Sequence, residues 1–179
     1  MPKLIDADLR RQQILARAFQ LFADRGYAAL SMRDLARSMR VTTGTLYHYF
    51  PSKEALFDEL VRTRAESDVR EATRGLAANA TPEERLSAFT LYFLHHLNDL
   101  QAMLRLVLDF QQHRSPDDAR DFIEEALEAY RAPLRDVFGD DLSSVGLSLL
   151  IGLLAQRTLA PERVDLRAHF QGLSALMIR

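Results

Sequence analysis

The chain of 179 residues is 47% hydrophobic and 27% charged, has a net charge of −2 and contains no cysteine. It is long enough to bury a substantial core, and the lack of cysteine excludes a disulfide framework and a zinc finger while suiting a reducing compartment. The start MPKLIDADLRRQQ has no apolar signal core, and the stretch Val145–Ala155 falls short of the roughly 20 residues of a membrane span. A cytoplasmic protein with no membrane contact is expected.

Helical spacing dominates in chain order. Within residues 8–25, Ile14, Ala18, Leu21 and Phe22 form one apolar face, and Gly26 supplies a C-terminal stop. In SMRDLARSM, Ser31 can cap a short second helix with Asp34 three positions on, while Met32, Leu35, Ala36 and Met39 make its apolar stripe. After a turn at residues 40–42, TGTLYHYF makes a third helix, ended where Pro51 disfavours helical geometry in Phe50. Ser52 can cap a fourth helix, which runs from 53 to about 74 and is highly charged beyond Leu60. Thr81, Pro82 and Glu84 give the fifth a capping oxygen, a first-turn proline and a third-position carboxylate. The pattern places the fifth to ninth helices at about 82–98, 100–113, 115–138, 142–159 and 165–178. There is no alternating strand pattern and no repeat. The fold class is therefore all-α, with about nine helices: a three-helix head at 1–53 and a larger helical body at 54–179.

Charge divides at the same place. Residues 1–53 carry nine Lys or Arg against four Asp, a net of +5, which leaves −7 on the remainder. A basic head on an acidic body suits a polyanion-binding module, because phosphate contact rewards local charge; solvated helix faces are the plainer alternative.

The second and third helices, joined by a three-residue turn, have the dimensions of a helix-turn-helix. Leu46 and Phe50 are four apart and can pack with Val41 on the first two helices. Thr43 with Tyr47, and Gly44 with His48, project from the other side. Small residues at the helix start let its backbone approach a groove, threonine hydroxyls can bond base edges or phosphates, and Tyr47 and His48 can reach the flanking backbone. A surface or interdomain contact would also suit an exposed tyrosine and histidine.

These residues carry a resemblance. The span Arg10 to Leu60, with Ile14, Ala18, Leu21, Phe22, Gly26, Tyr27, Ser31, the run DLA, Val41 and GTLYHYFPSKEALF, strongly resembles the DNA-binding head of the tetracycline-repressor (TetR) family of bacterial transcription regulators. The resemblance implies a two-fold symmetric homodimer that binds a palindromic double-stranded operator, represses transcription, and releases DNA when a small molecule occupies the body. It places Ser31 and Arg33 where the second helix meets phosphate or a base, and Thr42, Thr43, Gly44 and Thr45 at the start of the recognition helix. Tyr47 and His48 take phosphate-contacting aromatic positions, and Lys53 the lysine at the next helix start. Arg33 can pair bidentately with guanine, so it is the expected base reader. Arg40 stands where the family usually has glycine. Either it accepts a left-handed conformation, at roughly 1 kcal/mol, and points its guanidinium toward DNA, or the turn avoids positive φ.

The body is less specific. The eighth helix is apolar nearly all round, with Val145, Ser148, Gly152 and Ala155 on one narrow face that would let another helix come close. Leu166, Phe170, Leu173 and Met177 add an apolar stripe on the ninth. Two copies would make a four-helix homodimer interface through these last two helices; burial within one protomer is the alternative. Candidates to line an effector pocket are Phe89, Tyr92, Phe93, His96, Met103, Leu106, Val107, Phe110, Phe122 and Tyr130, most of them ordinary core. The effector would be apolar or aromatic with a few polar anchors. Arg105, Asp109 and His113 recur at four-residue spacing and suit a charge-paired helix face; one carboxylate and one imidazole are too few for a metal. His95 and His96 point about 100° apart on a helix of 3.6 residues per turn. No phosphate loop, nucleophile elbow or metal motif is present, so neither an enzyme nor a cofactor is expected. An activator, a ligand-independent DNA-binding regulator and a helical interaction protein without DNA binding remain as alternatives.

Overall fold

A computed structural model describes residues 7–177, with side chains apart from those at 133, 136–138, 141, 142 and 173–177. Among the described residues there are nine α-helices, one short 3-10 turn at Pro161–Arg163 and no strand, the all-α class that the periodicity predicts. In order they are α1 (Ala7–Arg25), α2 (Met32–Met39), α3 (Thr43–Tyr49), α4 (Lys53–Ala72), α5 (Pro82–His95), α6 (Leu97–Gln111), α7 (Pro116–Phe138), α8 (Asp140–Leu159) and α9 (Leu166–Met177). None is long and apolar enough to cross a membrane among the described residues.

The caps form as the sequence dictates. Ser31 and Thr81 each close a reciprocal capping box, with Asp34 and Glu84 respectively, satisfying amides that the first helical turn leaves open. Gly26, at φ 83°, ends α1 in the left-handed region that a side chain disfavours. The fifth helix ends earlier than its apolar pattern suggests, at His95, and α6 begins directly after His96.

Two compact units result. The first comprises the chain up to Thr63 together with Arg105–Ile123; the second comprises Arg64–Leu104 and the chain from Glu124 onward. The expected division between 53 and 54 follows charge. Packing divides the chain ten residues later and brings the end of α6 and the start of α7 into the first unit.

Aromatic rings knit the first unit. Phe57 lies 5.6 Å from Phe22, 5.1 Å from Tyr27 and 4.4 Å from Phe110, and Phe110 lies 4.5 Å from both Tyr27 and Phe122. Most of these contacts are edge-on or tilted, the arrangement that ring quadrupoles favour. Arg114 covers the cluster, its guanidinium 4.3 Å from the Phe110 ring and bonded to Asp58 at 3.2 Å. The second unit buries Leu86, Phe89, Tyr92 and Phe93 of α5 with Leu150, Leu153 and Leu154 of α8 and Leu166 and Phe170 of α9.

Candidate nucleic-acid interface

The site begins with how α3 is held. Leu46 and Phe50 are fully buried, and burying two such side chains stabilises the placement by about 1.5–3 kcal/mol each. The helix is only seven residues long, too short to stand on propensity alone, so this packing keeps it formed. Thr42 caps it, accepting from the Thr45 amide at 3.0 Å, and its hydroxyl lies 2.8 Å from that of Thr45. Both threonine hydroxyls at the tip are thereby oriented within the helix start.

The opposite face is open. Thr42, Gly44, Tyr47 and His48 are exposed, with Tyr47 at 52%, while Thr43 and Thr45 are half-buried. A Cβ on Gly44 would meet only the Thr42 hydroxyl, at 3.8 Å, so it is the absence of bulk that keeps this tip slim. The spacing that separates Leu46 and Phe50 from Gly44, Tyr47 and His48 thus becomes two faces of one short helix.

At the start of α2 the Ser31 hydroxyl accepts from the Asp34 amide at 3.2 Å and donates to the Asp34 carboxylate, while the Ser31 amide donates to that carboxylate at 3.1 Å. These bonds hold the Asp34 pKa below its usual range. They also commit the Ser31 side chain to the cap, so what it presents outward is the positive helix end. Arg33 and Arg37 are exposed one turn apart, and Arg37 lies 3.5 Å from Asp34.

The turn between α2 and α3 settles the Arg40 question in favour of strain. Arg40 has φ 58° and ψ 41°, and it is the non-glycine residue at positive φ among the described residues. The Val41 amide reaches back to the Ala36 carbonyl at 3.0 Å and the Arg40 amide to that of Arg37 at 3.1 Å, closing the turn in the manner of a glycine C-cap. The Arg40 side chain is exposed.

Lys53 is more deeply engaged than a phosphate-binding lysine needs to be. Its ammonium donates to the Tyr27 carbonyl at 3.2 Å and the Leu30 carbonyl at 3.0 Å, and sits 3.9 Å from the Tyr27 ring centroid. Burial pushes its pKa down. An ammonium has three donors, so one remains beyond the two carbonyls. Arg11, counted in the basic head, pairs with Glu59 through two nitrogens and stacks 4.6 Å from the Phe50 ring. Charge counting therefore overstates the positive face: Arg11 acts inside the unit, and Arg33, Arg37 and Arg40 act at its surface. Arg37 was legible only as one of nine cations, although it follows Arg33 by one helical turn.

The pocket candidates divide between the units. Phe89, Tyr92, Phe93, His96, Met103 and Tyr130 belong to the second; Leu106, Val107, Phe110 and Phe122 belong to the first, where Phe110 and Phe122 pack with Phe57. Asp109 reaches beyond its own helix. It accepts the Tyr27 amide at 3.0 Å, with His113 3.8 Å from its other oxygen. On α8, Val145 and Ser148 are exposed, Gly152 and Ala155 are half-buried, and a Cβ on Gly152 would meet nothing within 4 Å. Leu166 and Phe170 of α9 instead face the core, Phe170 lying 5.2 Å from Phe93. Leu173 and Met177 lie outside the residues whose side chains are described.

Residues 14–60 match the family model described as bacterial regulatory proteins, tetR family. Over 134 residues the chain is 27% identical to the transcriptional repressor KstR2 of Mycolicibacterium smegmatis, covering 75% of this chain and 65% of that one. It is 34% identical over 88 residues to the transcriptional regulator BetI of Rhizobium meliloti, covering 49% of this chain and 43% of that one. The chain thus spans less than two thirds of the length of the first relative and less than half of the second. A TetR-family regulator from Rhodococcus sp. superposes with a TM-score of 0.74 at 17% identity, over 95% of this chain and 99% of that one. The fatty acid degradation regulator FadR from Bacillus halodurans superposes with a TM-score of 0.71 at 19% identity, over 93% and 96%. At such identities the superpositions show the fold.

Proposed function

We propose that this chain, whose residues 14–60 match the model of the tetR family of bacterial regulatory proteins, is a cytoplasmic transcriptional repressor of that family that binds a palindromic operator as a homodimer and releases it on binding a small molecule. The observation that carries the reading is the division of α3: Leu46 and Phe50 are fully buried while Gly44, Tyr47 and His48 are exposed on the other side. A helix anchored in this way can enter a major groove tip first. Thr42, Thr43, Gly44 and Thr45 form the slim tip, Tyr47 and His48 bond the flanking phosphates, and the positive end of α2 receives another phosphate beside Ser31. Arg33 reads a guanine edge, and Lys53 holds the turn beneath the helix while its remaining donor adds positive charge there.

The head at residues 1–53 supplies DNA binding, and residues 54–179 supply effector binding and dimerisation. The open strip of Val145, Ser148, Gly152 and Ala155 supports close approach of a second copy, which would set two heads on successive major grooves roughly 34 Å apart. An effector acts by favouring a head separation that does not fit this spacing. Retardation of the DNA upstream of the chain's own gene in a gel shift tests the reading. Binding should fall on all sequences for Tyr47→Ala, and failure of the unaltered chain to retard any fragment in a genome-wide selection would overturn it.

A further inference from the structure

Charged and phenolic groups are scarce in an apolar core, because burial without full hydrogen bonding is costly. The second unit nevertheless buries Asp68 to 4% exposure, beside Tyr92 of its apolar core. One carboxylate oxygen is engaged: it accepts from the Tyr92 hydroxyl at 2.6 Å and forms an ion pair with the Arg64 Nε at 2.7 Å. The other, Oδ2, is buried with no hydrogen-bond partner among the described residues, and so is the hydroxyl of Tyr130. Tyr130 packs against the core cluster that contains Tyr92, the hydrogen-bond partner of Asp68, and burial followed by the Asp68 charge pushes its pKa up. His96 stacks on Tyr92 with ring centroids 4.2 Å apart and closes the polar cluster on that side.

We propose that Asp68 and Tyr130 are the polar anchor for a neutral hydroxyl ligand, an alcohol or phenol carried on an apolar body. The proposal rests on the reading of the second unit as the effector-binding domain and names the chemistry which that domain selects. One ligand hydroxyl satisfies both orphans at once, donating to Asp68 Oδ2 and accepting from the Tyr130 hydroxyl. Charge decides against the alternatives. The Arg64 guanidinium lies 2.7 Å from the Asp68 carboxylate, so a second buried cation would meet Arg64 and an anion would meet Asp68. The surrounding phenylalanine and leucine side chains receive the apolar body.

The test uses the full chain and four probes: phenol, toluene, benzylamine and benzoate, titrated by ligand-observed NMR at neutral pH. Phenol should bind about tenfold tighter than toluene, the advantage of one hydrogen bond to a charged group. Tyr130→Phe should cut that ratio several-fold while leaving the unfolding midpoint unchanged or raised, because the hydroxyl it removes has no partner among the described residues. Asp68→Asn should cut it too. A phenol-to-toluene ratio near one, a ratio untouched by Tyr130→Phe, tighter binding of benzylamine or benzoate, or no binding by any probe would overturn the proposal. A gel shift on the same preparations separates the two failures: retarded DNA with no phenol preference sinks this anchor alone, and absent retardation sinks the regulator reading beneath it.

Discussion

The backbone amide of Tyr27 donates to the carboxylate of Asp109 at 3.0 Å, across 82 positions of sequence. Gly26, immediately before it, turns the chain at φ 83°, and a Cβ there would lie 3.6 Å from the same carboxylate oxygen. The Tyr27 carbonyl is meanwhile held by Lys53 and the Tyr27 hydroxyl donates to Glu54 at 3.2 Å. Main chain and side chain of one residue thus fix the connection between α1 and α2 from α4 and α6.

Asp109→Ala leaves that half-buried amide without its acceptor and should destabilise the chain by about 1–3 kcal/mol. Urea unfolding followed by circular dichroism reads the loss. Asp109→Asn, which keeps an acceptor oxygen, should recover most of it.

Relief of the left-handed turn at Arg40 is worth about 1–2 kcal/mol, offset by roughly 0.5–1 kcal/mol of added chain entropy when the replacement is glycine. Arg40→Gly should therefore raise the unfolding free energy modestly. The same substitution should lower the salt slope of operator binding by about 1 if the exposed guanidinium meets a phosphate.

The Cβ of Gly152→Leu meets nothing within 4 Å, and the substitution removes a glycine from a helix interior, which alone should stabilise α8 by about 1 kcal/mol. Between two copies the same side chain obstructs close approach. Sedimentation equilibrium should show a dimer for the unaltered chain and a weakened or absent dimer for the variant; an unchanged dimer constant would place the interface elsewhere.

Arg33→Ala should reduce discrimination at one base pair by about 1–3 kcal/mol, whereas Tyr47→Ala should weaken binding to every sequence alike. Competition gel shifts against single-substituted operators separate the two patterns. Uniform losses for Arg33→Ala would reassign it to the phosphates.

The Asp34 carboxylate, held by the Ser31 side chain and amide, has a folded pKa below its ordinary value of 3.8. A depressed acid contributes stability that is fully present above the unfolded pKa and is lost as pH falls through the folded one. Asp34→Ala should thus be less stable than the unaltered chain at neutral pH, and the gap should close as the pH drops below about 4. Unfolding curves from pH 7 to 3 check the sign.

Local signals made the helices and caps legible: Ser31 with Asp34 and Thr81 with Glu84 announce their boxes at fixed spacing, and Pro51 announces the end of α3. The two faces of α3 were equally readable, because a four-residue period needs no partner to be recognised. Long-range engagement was not readable. Arg11 reaches Glu59 and the Phe50 ring, Lys53 reaches two carbonyls of the preceding connection, and Asp109 reaches Tyr27; none of these partners follows from local spacing. Packing likewise assigns Phe110 and Phe122 to the first unit, since which core a buried ring joins depends on helix placement rather than on its own helix's pattern. Asp68 carried no signal in a helix that is highly charged beyond Leu60. Its importance comes from Tyr92 and Tyr130, distant in the chain.

The left-handed Arg40 has an evolutionary consequence. Every arginine codon is one base change from a glycine codon, so relief of this turn is always a single point mutation away. A selection for heat-resistant variants that ignores operator binding should repeatedly land on codon 40, whereas one that also demands repression should avoid it. Sequencing the survivors of the two selections would show whether the strain is retained for the charge it displays.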